Sequence, residues 1–236
     1  MSNQFAKFLA VALVAVAATT GVAHANYLTG TFAVTAVEGQ TYGYGFSATN
    51  TNPFAGYSSG TTASATYSYT GALNLSNTNN SAPDLNSSFG YTAGNLSNYS
   101  GSGTVSYNSS TVADYSSLTS YLNSSGSGSG LAYGSWYSFD LGVLSAGTVL
   151  TITHDDGVSV WQNNLNLGNT VSGPTSQVTD NVKLTSTTDT MLYYTRQNGA
   201  PSILQVNVPE PSSIALMLAG LGGLAIIRRR RSRIAA

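Results

Sequence analysis

Short runs of alternating apolar and polar residues, broken every few positions by Gly, Asn or Ser, fill the chain between residues 26 and 207. That period of two belongs to a strand buried on one side. Phe32, Val34 and Ala36 fall on one face of such a run, with Ala33 and Thr35 on the other. Leu150 and Ile152 face away from Val149, Thr151 and Thr153, and Leu204, Val206 and Val208 alternate with Gln205 and Asn207. No stretch here sustains the i, i+3, i+4, i+7 spacing of an amphipathic helix. The pattern predicts an all-β fold. Its densest part is residues 131 to 207, where Trp136, Tyr137, Phe139, Leu141, Val143 and Leu144 are candidate core. Val158, Val160 and Trp161 follow, and Met191 to Tyr194 and Ile203 to Val208 read as closing strands.

Residues 56 to 130 are rich in Ser, Asn, Thr, Gly and Tyr and poor in large aliphatics. Such a tract reads either as tyrosine-bearing short strands or as semi-disordered chain. With fifteen tyrosines in the chain, short strands are the preferred reading. The run Ser124 to Gly130, built only of Ser and Gly, reads as a flexible linker or loop.

The two ends break the β pattern. Lys7, the apolar run Phe8 to Ala18 and Ala23-His24-Ala25 have the order of a secretory signal: charged region, apolar region, small-x-small cleavage site. Cleavage after Ala25 would make Asn26 the mature N-terminus, through the Sec translocon and signal peptidase. At the other end Val208, Pro209, Glu210 and Pro211 precede Ser212 and Ser213, an apolar or Gly run from Ile214 to Ile227, and Arg228, Arg229, Arg230, Arg231 and Arg233. The prolines stop any incoming strand. The apolar run suits a transmembrane helix, and its arginines would stay cytoplasmic. The domain organisation is thus 1–25 signal helix, 26–207 exported domain and 208–236 anchor.

This tail closely resembles the PEP-CTERM sorting domain, the substrate of exosortases, membrane cysteine proteases of Gram-negative bacteria. The resemblance implies a transient inner-membrane anchor, processing near Pro209-Glu210-Pro211, and delivery to the outer surface or extracellular matrix. It also implies an association with exopolysaccharide and biofilm.

Charge narrows the partners. Charged residues make up 7% of the chain, against about 25% in an ordinary globular protein. Between residues 26 and 207 only Lys183 and Arg196 are basic, against Glu38, Asp84, Asp114, Asp140, Asp155, Asp156, Asp180 and Asp189. A surface so short of cations argues against nucleic acid. The absence of cysteine excludes disulfides, thiolate metal sites and a cysteine nucleophile.

His154-Asp155-Asp156-Gly157 is the most distinctive local feature. Asp-Gly is a hairpin-turn signal. Two adjacent carboxylates are also hard oxygen ligands for calcium. Phe139-Asp140-Leu141, the run Thr151 to Trp161 and the run Tyr193 to Pro201 together are similar to the core of PA14-like β-domains. Some of those bind glycans through a calcium held by paired aspartates. That resemblance implies a PA14-like or jelly-roll-like β-sandwich, with Asp155 and Asp156 as metal ligands. The aromatic faces of Trp136 or Trp161 could stack on a sugar ring, although such residues are more often strand core or cross-strand pairs. Asp155, Asp156 and Trp161 are the candidate ligand-binding residues. Turn and calcium site both remain open at this point.

Catalysis has little support. His154 is the one histidine outside the signal, so a histidine metal cluster is excluded. Gly56 to Gly60 matches G-x-S-x-G but lies in a Ser/Gly-rich tract without the strand and helix that make a nucleophile elbow. A carboxylate pair drawn from Asp140, Asp155 and Asp156 would suit a secreted glycan-acting hydrolase, the alternative reading. The preferred expectation is a non-enzymatic surface or matrix protein, structural or adhesive, that binds polysaccharide.

Overall fold

Thirteen strands form among residues 26–40, 47–55, 62–77, 89–125, 133–197 and 201–208, the residues that this computed structural model describes. They are β1 (Asn26–Tyr27), β2 (Thr29–Gln40), β3 (Thr62–Ala72), β4 (Asn74–Asn77), β5 (Leu96–Tyr107), β6 (Ser110–Asp114), β7 (Tyr133–Leu144), β8 (Val149–Asp155), β9 (Val158–Gln162), β10 (Leu165–Asn166), β11 (Val178–Lys183), β12 (Thr188–Arg196) and β13 (Ser202–Val208). One short helix, α1 (Leu118–Leu122), follows β6; Ser117 caps it by accepting the Ser120 N–H.

The strands make two sheets. The larger runs β10-β9-β12-β7-β2-β3-β5-β6, and the smaller runs β1-β13-β8-β11 with β4 also on β13. Residues Tyr27–Val208 form one compact unit. The expected signal helix, the expected membrane helix and the tract Gly56 to Gly60 lie outside the described residues. Among the described residues no helix is long and apolar enough to cross a membrane.

The inner faces of the two sheets enclose the main core. Phe32, Val34, Ala36, Tyr137, Phe139, Val160 and Leu192 come from the larger sheet; Leu150, Ile152, Val182, Leu204 and Val206 come from the smaller. The alternations read from sequence at Phe32, Leu150 and Leu204 are the inward faces of β2, β8 and β13. The Ser/Asn-rich tract supplies β3 to β6. What it lacks in aliphatics it makes up in tyrosine: Tyr67, Tyr91, Tyr115 and Tyr121 are buried among the strands. Their hydroxyls pair inside the core, Tyr67 with Tyr121 at 2.7 Å, and their rings pack edge to face, Tyr115 on Tyr121 at 4.7 Å.

A second, smaller cluster lies on the other face of the larger sheet. Val37, Trp136 and Tyr193 point outward there and are covered by Ala48 and Phe54 of the segment 47–55. Trp136 Nε1 donates to the Thr49 carbonyl (3.1 Å) and holds that segment down. Parts of β2, β7 and β12 are therefore buried on both faces, and strict alternation fades there.

Three expectations need correction. Val143 is 65% exposed rather than core. Gly142 takes φ 69°, the β7–β12 register shifts between Asp189 and Met191, and Val143 lies beyond that shift. The Ser/Gly linker does not begin at Ser124. That residue is buried; its hydroxyl accepts the Asp114 N–H (3.1 Å) and donates to the Ser120 carbonyl (3.0 Å). Asp155-Asp156-Gly157 is not a hairpin turn, because β8 and β9 belong to different sheets.

Candidate functional site

The Asp155-Asp156-Gly157 corner carries the chain from the smaller sheet to the larger. Its first strand, β8, alternates correctly to bury His154, and the corner then turns both carboxylates into protein: Asp155 and Asp156 are 7% and 3% exposed. The Asp155–Asp156 peptide bond is cis. Neighbouring backbone supplies the hydrogen-bond donors. The Gln177 N–H reaches Asp155; the Thr175 and Gln197 N–H groups reach Asp156. The Tyr194 hydroxyl donates to the Asp155 carbonyl. The two side chains also hydrogen-bond to each other.

Residues 171 to 177 lie over this corner. The Val158 N–H bonds the Val171 carbonyl at 2.9 Å, and the Ala48 N–H bonds the Ser172 carbonyl at 2.8 Å. A Cβ on Gly157 would stand 2.0 Å from the Ser172 oxygen. Glycine is therefore required for close approach of the covering segment, not for a hairpin. His154 completes the corner from below. Its Nδ1 meets the Asp156 carbonyl at 2.5 Å, and its Nε2 meets Asp180 Oδ2 at 3.0 Å. Asp180, on β11, also accepts the Val171 N–H at 2.8 Å. Sequence reasoning missed Asp180; its signal was only its place in the alternating run Val178 to Lys183.

Electrostatically the corner is acidic and buried. Burial raises the carboxyl of Asp156 to about 7; the Gln197 N–H opposes this, and the neighbouring Asp155 adds to it. Burial also raises Asp155, against hydrogen bonding from Asp156 and the proximity of His154. Two carboxylates in such contact suit a shared proton or a divalent cation. They do not suit glycoside hydrolysis, whose carboxyls stand about 5 Å or more apart to flank one bond. Asp140, the third candidate carboxylate, accepts the Gly142 N–H of its own strand at 2.8 Å. No group of three or more His, Cys, Asp or Glu gathers as a metal site among the described residues.

Trp161 does not join the carboxylates. It sits at the far part of β9, packed on the outer cluster, its ring perpendicular to Tyr193 at 6.2 Å. There it lines an open cleft of about 250 Å³ with Asn50, Asn163 and Asp189 among others. Val208 ends β13, half-buried, while Pro209, Glu210, Pro211 and Arg228 to Arg231 lie outside the described residues.

Comparison with known proteins bears on both parts of the chain. Residues 207–231 match the family model of the PEP-CTERM protein-sorting motif. No curated protein matches the chain. The structure is similar to the PA14 domain of the MpAFP antifreeze protein, at 18% identity and a TM-score of 0.38, covering 75% of this chain and 83% of that one. It is similar also to the PA14 sugar-binding domain from an RTX adhesin, at 18% identity and a TM-score of 0.36, covering 72% and 86%. The motif implies processing by exosortase, and proteins that bear it are exported and sorted to the cell surface. The chain carries a PEP-CTERM sorting motif at its C-terminus, following a two-sheet all-β unit.

Proposed function

We propose that this chain is a non-enzymatic adhesive protein of a Gram-negative cell surface or matrix, and that its sandwich holds exopolysaccharide with the help of calcium at Asp155 and Asp156. In this reading the Sec translocon exports the chain and signal peptidase trims it. The C-terminal apolar run then anchors it transiently in the inner membrane, until exosortase acts near Pro209-Glu210-Pro211. The observation that carries the export and sorting part of the reading is the placement of the sorting motif. It starts at residue 207, where the last strand of the folded unit ends at Val208. The whole sandwich therefore precedes the processing region and would be released intact.

The donors at the corner fit calcium. The carboxylates of Asp155 and Asp156 are hard oxygen ligands, already oriented by backbone N–H groups. Asp156, raised to about 7 by burial and its acidic neighbour, carries a charge that a divalent cation would stabilise. When bound, the ion would supply a positive centre for sugar hydroxyls, and Asp155 and Asp156 would hold it.

Sorting is tested by fractionating cells that express the full chain with Pro209→Ala and Glu210→Ala. The variant is expected to stay with the inner membrane while the unaltered chain reaches the surface or medium. An unchanged distribution would contradict exosortase sorting through this motif.

A further inference from the structure

The larger sheet has a feature that the calcium reading leaves unused. Its outer aromatic strip is roofed by residues 47 to 55 over Val37 and Trp136, but the roof stops short of Trp161 and Met191. What remains is the cleft of about 250 Å³. This is a little below the roughly 300–1,000 Å³ of sites for drug-sized ligands, so it suits a single small ring.

Its walls are aromatic and fixed in advance. Trp161 and Tyr193 stand at 90° to each other and make a corner. Tyr193 is stacked on Trp136 at 5.7 Å, and Trp136 is tied to the Thr49 carbonyl. The Trp161 Nε1 donates to Ser159 Oγ at 2.8 Å, and Ser159 Oγ donates to the Ala48 carbonyl at 2.7 Å. The indole N–H is thus satisfied within the protein, which holds the ring without using its faces. Rigid aromatic surface of this kind binds at low entropic cost.

Its rim is amide and hydroxyl. Asn163 and Asn164 both take left-handed φ, 50° and 61°, in the tight turn between β9 and β10, and Thr188 Oγ donates to Asn163 Oδ1 at 3.2 Å. Asn50 lines the cleft from the roof segment. Amides both donate and accept, as ring hydroxyls do. Among the described residues the charge that lines the cleft is the Asp189 carboxylate, which disfavours an anionic ligand.

We propose that this cleft is a cation-independent subsite for one neutral sugar ring of a polysaccharide, packed against Trp161 and hydrogen-bonded by Asn50, Asn163 and Asp189. The proposal rests on the polysaccharide-binding reading above and assigns it a second place, away from Asp155 and Asp156.

The full-length chain, kept soluble in a sugar-free detergent, is titrated in EDTA with dextran, mannan, galactan and barley β-glucan, with alginate as the anionic comparison. The readout is isothermal titration calorimetry, whose signal survives replacement of Trp161, one of the chain's two tryptophans. The expected result is saturable binding of at least one neutral polymer, none of alginate, and roughly tenfold or greater weakening by Trp161→Ala. Asn50→Ala, a change on the exposed roof, is expected to weaken binding too, and so guards against a misfolded Trp161 variant. Binding that needs calcium, or that both variants leave unchanged, would overturn the cleft and leave the surface-adhesin reading standing. No binding to any of these polymers, with calcium or without, would overturn both.

Discussion

Glu38 offers a sharp test of how the core is built. It follows Phe32, Val34 and Ala36 on the inward face of β2 and is fully buried. The Tyr115 hydroxyl donates to its Oε2 at 2.9 Å, while Oε1 has no partner among the described residues. Burial raises its pKa to about 7, against the lowering effects of Tyr115, Arg196 and Ser135. A carboxyl protonated in the folded state and ionised in the unfolded state makes unfolding release a proton. Stability then falls as pH rises, from the unfolded value near 4.5 to the folded value near 7, and levels off above it. The rise of 4.5 to about 7 corresponds to about 3 kcal/mol in total. Glu38→Gln keeps the shape and removes the titration. Urea unfolding of the full chain, followed by near-ultraviolet circular dichroism from pH 4.5 to 8, compares the two. The variant is expected to match the parent near pH 4.5 and to exceed it by up to about 3 kcal/mol at pH 8. Asp156 titrates in both proteins and cancels in the difference. Parallel stability curves across that range would refute the assignment of a buried proton to Glu38.

Other outcomes follow from the corner. Gly157→Ala drives a Cβ into the Ser172 carbonyl and should cost about 1–3 kcal/mol by the same urea measurement, as overpacking does. Calcium at about a hundredfold above its Kd should raise the thermal midpoint by roughly 5–10 °C, and Asp155→Asn with Asp156→Asn should abolish that rise. An equal rise in the double variant would move the ion elsewhere. Tyr121→Phe removes the 2.7 Å hydroxyl pair with Tyr67 and should lower stability by about 1 kcal/mol, read by thermal or urea unfolding.

Much of the sandwich was legible because its signal is local. The alternation at Phe32, at Leu150 and at Leu204 reports one buried face, and each became the inward face of a strand. The tyrosine-rich tract was legible as strands for a related reason, since so many large rings need a core. Partner choice is not local. Asp155-Asp156-Gly157 has the residues of a hairpin turn, and nothing in them says that β8 and β9 pair with other strands in different sheets. Glu38 stood in phase with Phe32, Val34 and Ala36, yet a carboxylate reads as solvent-facing until Tyr115 and Arg196 arrive from distant sequence. Trp161 was grouped with the aspartates through closeness in sequence. Its side chain instead packs on the outer cluster of the larger sheet, which separates it from them.

The central claim is calcium-assisted adhesion to polysaccharide at the cell surface. Its most direct test is retention of the purified full chain on the producing cell's own exopolysaccharide, first with calcium and then with EDTA. The account expects firm retention with calcium and a marked loss of bound protein in EDTA, with any remainder released by Trp161→Ala. Equal retention in the two buffers, or none in either, would contradict it.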